Sequence, residues 1–174
     1  MENSSPKPAA KWLEIAVNVS IVIVAAVVVM VFAQKYFLAS KRKPITISAG
    51  ARLTGQPVNW QDSPKNVVLV LSTTCHFCQE SSGFYRKLVE DCRGHARTIA
   101  FFPQTPQEAQ AYLKAEDVQV DEIKHANFQS LHVGGTPTLL LVDGKGVVQK
   151  AWLGKLPELK EKEVLNQSCQ GDAE

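Results

Sequence analysis

Val67-Val68-Leu69-Val70-Leu71 is an unbroken apolar run rich in β-branched residues, the signature of a strand covered on both faces. Such a strand belongs at the centre of a sheet. Ser72-Thr73-Thr74 follow, residue types that cap helices, and Cys78, Phe84, Tyr85, Leu88 and Val89 then recur as on an amphipathic helix ending near Gly94. Cys75 therefore sits where strand becomes helix. Thr98–Phe102 predicts a second strand, and Thr105-Pro106-Gln107-Glu108 is a capping box with proline at the first helical position, starting a helix that runs to about Ala115. A further helical segment is expected between Asp121 and Leu131. Thr138–Val142 and Val147–Trp152 read as strands around the hairpin turn Asp143-Gly144-Lys145-Gly146, before a last helix from near Pro157 to about Gln167. Ile45-Thr46-Ile47 and the stretch around Trp60 read as short leading strands. The order is β-α-β-α-(α)-β-β-α, an α/β pattern.

The chain has 174 residues, 45% of them apolar and 21% charged, which suits one ordinary domain with a short appendage and excludes wholesale disorder. A net charge of +2 gives no concentrated basic face, so no nucleic-acid partner is expected. The appendage is apolar. From Ile15 to Ala33 only Asn18 and Ser20 interrupt an apolar run of roughly 28 Å in helical form, just long enough to cross the hydrocarbon of a bilayer. Trp12 before the run and Tyr36-Phe37 after it fall where aromatic rings settle at membrane interfaces. The expectation is a transmembrane helix over residues 15–37. A cleavable signal peptide is the competing reading, with Lys7 and Lys11 as its positive start and Val31-Phe32-Ala33 as its cleavage site, but the run exceeds the usual apolar region of such peptides. Counting positive charges opposes the placement favoured by the chemistry. Lys35, Lys41, Arg42 and Lys43 follow the run and would hold the C-terminal part in the cytoplasm, yet long C-terminal domains translocate regardless of nearby charge.

The chemistry lies in Cys75-His76-Phe77-Cys78. Two cysteines two residues apart at a helix start can close a small redox disulfide, and the unpaired N–H groups of the helix start favour the thiolate of the first. Cys75 is then the attacking sulfur, with His76 able to supply a neighbouring cation when protonated. Cys78, one turn on and less exposed, would attack the mixed disulfide and release the substrate. Two plainer readings remain open. A zinc site would need four ligands, and only Cys92, Cys169, His95, His125 and His132 are left, scattered along the chain. A purely structural 75–78 disulfide would close too short a loop to restrain the unfolded chain much.

The arrangement resembles the thioredoxin superfamily, and within it the membrane-tethered TlpA/ResA-like thiol-disulfide oxidoreductases. The resemblance covers roughly Leu53 to Leu165 and rests on the strand–CxxC–helix at 67–90, on Gly135-Thr136-Pro137-Thr138 before a strand, and on the strand–DGKG–strand–helix tail with Trp152-Leu153-Gly154. It implies a thioredoxin-like fold, a central mixed sheet flanked by helices, with Pro137 in the cis form beside the cysteines and a backbone edge at Thr136 that pairs with extended substrate. Leu53-Thr54-Gly55-Gln56-Pro57 resembles the family's lead-in to an N-terminal hairpin. Cys92 falls at the end of the active-site helix and Cys169 just past the last helix, and in this fold those two helices lie on one sheet face and run in parallel, which implies a structural Cys92–Cys169 disulfide and an oxidising compartment; two unrelated free thiols are the alternative. Departures are also plain. Thr74 and His76-Phe77 replace the tryptophan and proline usual around the first cysteine, so the redox tuning by His76 and Phe77 is this chain's own. Leu69 stands where many thioredoxins bury an acid, Glu80 reads as a surface carboxylate, and the proton acceptor for Cys78 is not identified.

The sequence thus leads us to expect an N-terminal tail (1–14), a transmembrane helix (15–37), a linker (38–52), a thioredoxin-like domain (53–169) and a C-terminal tail (170–174). The function expected is exchange of disulfides with protein thiols on the extracytoplasmic, periplasmic side of the cytoplasmic membrane; the resemblance implies a reductive role such as keeping apocytochrome cysteines reduced, while the residues leave the direction of electron flow open and a high-potential oxidant would work the other way. It needs no cofactor and no metal. Its partners would be protein thiol or disulfide substrates, an electron donor or acceptor, and the bilayer through residues 15–37. The alternatives are a membrane-anchored thioredoxin-like copper carrier using Cys75, Cys78 and a histidine such as His132, and an interaction domain with an inert disulfide.

Overall fold

The computed structural model describes residues 8–39 and 47–170, and the chain divides into two units, Met1–Lys43 and Pro44–Glu174. The first holds one helix, α1 (Pro8–Ala39). It begins before the expected span, so residues 8–14 are helical rather than a tail: Ala9, Ala10, Lys11 and Leu13 are strong helix formers and extend a helix already nucleated by the apolar run. Side chains over 17–32 are exposed all round α1, Met30 at 64% and Phe32 at 60%. Among the described residues no helix is long and apolar enough to cross a membrane. A crossing over 15–37 therefore rests on the sequence.

The second unit is built on β1 (Lys65–Val70), α2 (His76–Glu80), α3 (Ser82–Cys92), β2 (Arg97–Phe102), α4 (Pro106–Ala115), β3 (Glu122–His125), β4 (Thr138–Asp143), β5 (Val148–Leu153) and α5 (Glu158–Cys169). The strands form one mixed sheet in the order β3-β2-β1-β4-β5, with β1–β2 and β2–β3 parallel and β1–β4 and β4–β5 antiparallel. The apolar run is the central strand. Val67, Leu69 and Leu71 join one buried cluster with Leu88, Phe102, Leu113 and Val164 from the helical side, while Val68 and Val70 join another with Ile99, Phe101, Leu140 and Val142. Alternation on a doubly covered strand explains why no polar residue interrupts it. The second face is covered by irregular chain, through Ile47, Leu53, Leu131 and Val133.

Several expectations change. The segment expected to be helical at 121–131 holds strand β3 instead. The Asp121 carboxylate accepts hydrogen bonds from both the N–H and the hydroxyl of Thr98, each at 2.7 Å, which locks the segment beside β2 and lets Ile99 pair with Glu122. Sheet pairing and a side-chain clamp override a weak helical pattern. Around Trp60 the chain forms a 3-10 turn, Trp60–Asp62, rather than a strand, and the indole packs so closely on Gly146 of the β4–β5 turn that a Cβ there would lie 2.8 Å from it. Gly146 also has φ +76°, so glycine is required twice over. The active-site helix is broken into α2 and α3 at Ser81, whose hydroxyl donates to the Phe77 carbonyl at 2.8 Å and competes with the regular helical bond. No hairpin forms at 53–57: the lead-in makes one bridge, Arg52 to Val147. Residues 47–52 are not linker, because Ile47 is 5% exposed, the Gly50 N–H donates to the Val148 carbonyl and the Val148 N–H to the Ala51 carbonyl, each at 2.8 Å. Gln170 lies at the end of α5, its carbonyl accepting from Lys65 Nζ at 3.0 Å. Ile45 and Thr46 of the expected leading strand, and tail residues 171–174, lie outside the described residues.

Candidate active site

The site forms where the central strand ends. After β1 the chain turns through Ser72, Thr73 and Thr74, and Cys75 is the N-cap of α2 with extended backbone, φ −90° and ψ 111°. The cap is the cysteine sulfur itself. Cys75 Sγ accepts a hydrogen bond from the Cys78 N–H at 3.2 Å, so the dipoles of the first turn point at the sulfur that must carry charge. The three residues expected to cap the helix instead build the loop behind it, with the Cys75 N–H donating to the Ser72 carbonyl at 3.1 Å.

Cys75 is half-buried and Cys78 wholly buried, and both are free thiols. Burial, with a hydrogen bond to Cys75, pushes the Cys78 thiol up to about 12, and the Ser72 backbone and the Thr136 side chain act against that rise. Cys78 is thus a protonated, shielded sulfur one turn behind an accessible one. Iodoacetamide should modify Cys75 first at neutral pH, and peptide mapping after brief labelling would show it; Cys78 labelled ahead of Cys75 would contradict this arrangement. The same shift predicts a pH dependence. The folded state holds the Cys78 proton more tightly than the unfolded chain does, so its stabilising share is complete below pH 9 and is lost as pH rises from about 9 to about 12. Urea melts of the reduced protein should weaken across that window, and those of Cys78→Ala should lack this part of the slope.

Thr136 and Pro137 arrive from the far side of the sheet at the start of β4. The Thr136–Pro137 peptide is cis, and the Thr136 carbonyl accepts from Cys75 Sγ at 3.4 Å. Pro137 is buried and its carbonyl accepts from the Gly154 N–H at 2.7 Å, which holds the segment against the end of β5. Residues 61 positions apart thereby share one site. His76 and Phe77 both face outward. His76 Nε2 lies 3.1 Å from Glu80 Oε1 with its side chain 75% exposed, so the imidazole is directed to Glu80 rather than to Cys75. Glu80 is also 3.0 Å from Lys155 Nζ, and that ammonium holds its carboxyl below the usual range. It is a surface carboxylate and no base for Cys78. Phe77 is 55% and Leu153 48% exposed, large apolar side chains left in water beside Cys78 and beside Gly154.

Cys92 and Cys169 are joined by a disulfide that ties α3 to α5. Among the described residues no three His, Cys, Asp or Glu side chains converge, so Cys75 and Cys78 have no third metal ligand there and His132 stands apart from them. Sequence reasoning overlooked Gln104. It follows β2, 32 positions from Ser72, yet its Nε2 donates to Ser72 Oγ at 2.9 Å and its Oε1 accepts from the Thr73 N–H at 3.4 Å. No local pattern marks such a residue, because its role exists only once β1 and β2 lie side by side.

No family model matches the sequence, and no curated protein is similar to it. Solved structures are. The thioredoxin domain of a thiol-disulfide oxidoreductase from Bacteroides vulgatus is 12% identical with a TM-score of 0.56, covering 72% of this chain and 100% of that one. A thiol:disulfide interchange protein from Bacteroides sp. is 14% identical with a TM-score of 0.55, covering 73% and 88%. A DsbF homologue from Corynebacterium diphtheriae is 17% identical with a TM-score of 0.51, covering 74% and 88%. The structural neighbours are thiol:disulfide interchange proteins of the thioredoxin superfamily, and at identities this low the likeness shows the fold alone: the second unit has a thioredoxin-like fold.

Proposed function

We propose that this chain is a thiol-disulfide oxidoreductase that exchanges disulfides with protein thiols through Cys75 and Cys78. The observation that carries the reading is the position of Cys75 Sγ, half-exposed between the Cys78 N–H and the Thr136 carbonyl with a second free thiol buried one turn behind. An extended polypeptide would reach Cys75 along the Thr136 backbone, and Phe77, exposed two residues from Cys75, offers an apolar contact. In the reductive direction the Cys75 thiolate attacks a substrate disulfide and expels one substrate thiolate. Cys78 then gives up its proton to solvent and attacks Cys75 Sγ, the bond between Cys75 and the substrate sulfur breaks, and a Cys75–Cys78 disulfide forms as the second substrate sulfur leaves as a thiolate that takes up a proton from solvent. Two electrons pass to the substrate, and an external thiol donor restores the pair. The direction we favour is reductive, such as keeping exported cysteines of apocytochromes reduced, as the resemblance implies. Equilibration against glutathione is the test: a potential near that of a strong oxidant, about −120 mV, would overturn that direction.

We place the domain outside the cytoplasmic membrane, tethered through residues 15–37. The apolar run supports the tether, and the Cys92–Cys169 disulfide supports an oxidising compartment. Carbonate washing of membranes should leave the full chain in the pellet, and a membrane-impermeant maleimide should label Cys75 in intact spheroplasts. Release into the wash, or labelling only after lysis, would refute the placement.

A further inference from the structure

The backbone ladder between β1 and β2 stops just short of the reactive turn, and a side chain takes over where it stops. Leu71, one residue past β1, still donates its N–H to the Phe101 carbonyl at 2.9 Å. Pro103 then follows β2 and has no N–H to offer. Continuing the register that pairs Val70 with Phe101 brings Gln104 opposite Thr73. There the Gln104 amide replaces the missing backbone: its Oε1 accepts from the Thr73 N–H at 3.4 Å and its Nε2 donates to Ser72 Oγ at 2.9 Å. Gln104 is itself fixed between Pro103 and the Thr105 cap of α4, with its carbonyl 2.9 Å from His125 Nδ1. Ser72 is buried and opens a tight turn, closed by the Cys75 N–H on the Ser72 carbonyl at 3.1 Å, and its hydroxyl also lies 3.1 Å from Thr74 Oγ1. At the far end of that turn Cys75 Sγ meets the Thr136 carbonyl, 3.4 Å away. Chain from both neighbours of the central strand thus grips the turn, through Gln104 after β2 and through Thr136 before β4.

We infer that Gln104 is a positioning residue for the attacking sulfur: it holds the turn from Ser72 to Cys75 against the end of β2, and so keeps Cys75 Sγ beside the Thr136 backbone where an extended substrate would lie. The inference rests on the oxidoreductase reading. Capture is a displacement at sulfur, in which the Cys75 thiolate approaches along the axis of the substrate S–S bond as that bond breaks and a substrate thiolate leaves. A polypeptide laid along Thr136 presents its disulfide in one orientation, so the rate depends on where Cys75 Sγ is held. A small alkylating reagent approaches freely and makes no such demand. The hydrogen bonds of the sulfur itself, with the Cys78 N–H and the Thr136 carbonyl, do not involve Gln104, so removing that side chain loosens the placement of the sulfur and leaves its partners in the chain.

The test compares two reactions of Cys75 in the full chain: cleavage of a peptide disulfide that carries a fluorophore and a quencher on its two halves, and alkylation by iodoacetamide. Gln104→Ala should cleave the peptide about tenfold more slowly than wild type while its alkylation rate stays within about twofold. Gln104→Glu keeps an acceptor for the Thr73 N–H and can accept from the Ser72 hydroxyl, so it should recover most of the loss. Because Gln104 acts partly through Ser72, Ser72→Ala should lose less than Gln104→Ala, and the double variant should be no slower than Gln104→Ala alone. Peptide cleavage within twofold of wild type, equal slowing of cleavage and alkylation, no recovery by Gln104→Glu, or additive losses in the double variant would each overturn the inference. A purely structural role would move the urea midpoint without separating the two reactions. If Gln104→Ala does not fold, Gln104→Met keeps the length, removes both hydrogen bonds and is read in the same way. A wild-type protein that cleaves no disulfide sinks the oxidoreductase reading and this one together; an active wild type with unaffected variants sinks this one alone.

Discussion

Cys78→Ser should convert the protein into a trap that captures substrate and cannot release it. Cys75 is the sulfur within reach of solvent, and its two hydrogen-bond partners, the Cys78 N–H and the Thr136 carbonyl, both survive the substitution. Capture continues, but serine has no thiolate with which to attack the mixed disulfide, so covalent complexes should accumulate on non-reducing gels and vanish with dithiothreitol. Cys75→Ser should show the converse. A hydroxyl at its ordinary pKa is a very poor nucleophile, so turnover of a disulfide substrate should fall on the order of a thousandfold or more and no complexes should form. Trapping by Cys75→Ser instead of Cys78→Ser would reverse the assigned roles. Normal turnover by either variant would remove the site from the reaction altogether.

The second large effect concerns stability. The Cys92–Cys169 bridge joins residues 77 positions apart, both buried, at the ends of α3 and α5. Closing so long a loop restricts the unfolded chain strongly, and losing a bridge of this kind typically costs about 2–4 kcal/mol. A Cys92→Ala/Cys169→Ala variant should therefore unfold at a urea concentration about 1–2 M lower than the oxidised wild type. The alanines also leave small voids among Leu88, Val89 and Val164, which adds to the loss. Disulfide exchange by the folded variant at low temperature should be retained, because neither cysteine touches Cys75 or Cys78. An unchanged urea midpoint would mean that the bridge is not formed in solution. Lost exchange in a folded variant would tie it to the site in a way the geometry does not show.

The outline of the domain was legible wherever one local signal was strong. Val67 to Leu71 announced a doubly buried strand, the Thr105 capping box forms as expected with Glu108, and the DGKG turn joins the two strands it implied. Each of these is decided by residues within a few positions of one another. The segment at 121–131 was misread because its fate depends on Thr98, more than twenty positions earlier, whose hydroxyl and N–H seize Asp121 and turn a weak helical pattern into an edge strand. Trp60 was misread for a similar reason: the indole lies against Gly146, a partner that no window of the sequence contains. The site divides in the same way. The spacing of Cys75 and Cys78 declared a redox pair, whereas the cap made by Cys75's own sulfur, the turn of His76 toward Glu80 and the hold of Gln104 on Ser72 emerge only from side chains in place.

What the residues alone determined is the chemistry available to this protein: two thiols at helix spacing behind a buried strand. What the tertiary structure decided is how those thiols differ. Packing against the sheet buries Cys78 and leaves Cys75 at the surface, and the chain's return through Thr136 and Pro137 sets a carbonyl beside the exposed sulfur. Burial and long-range hydrogen bonds act between residues distant in sequence, so only the folded chain can make two identical side chains unequal.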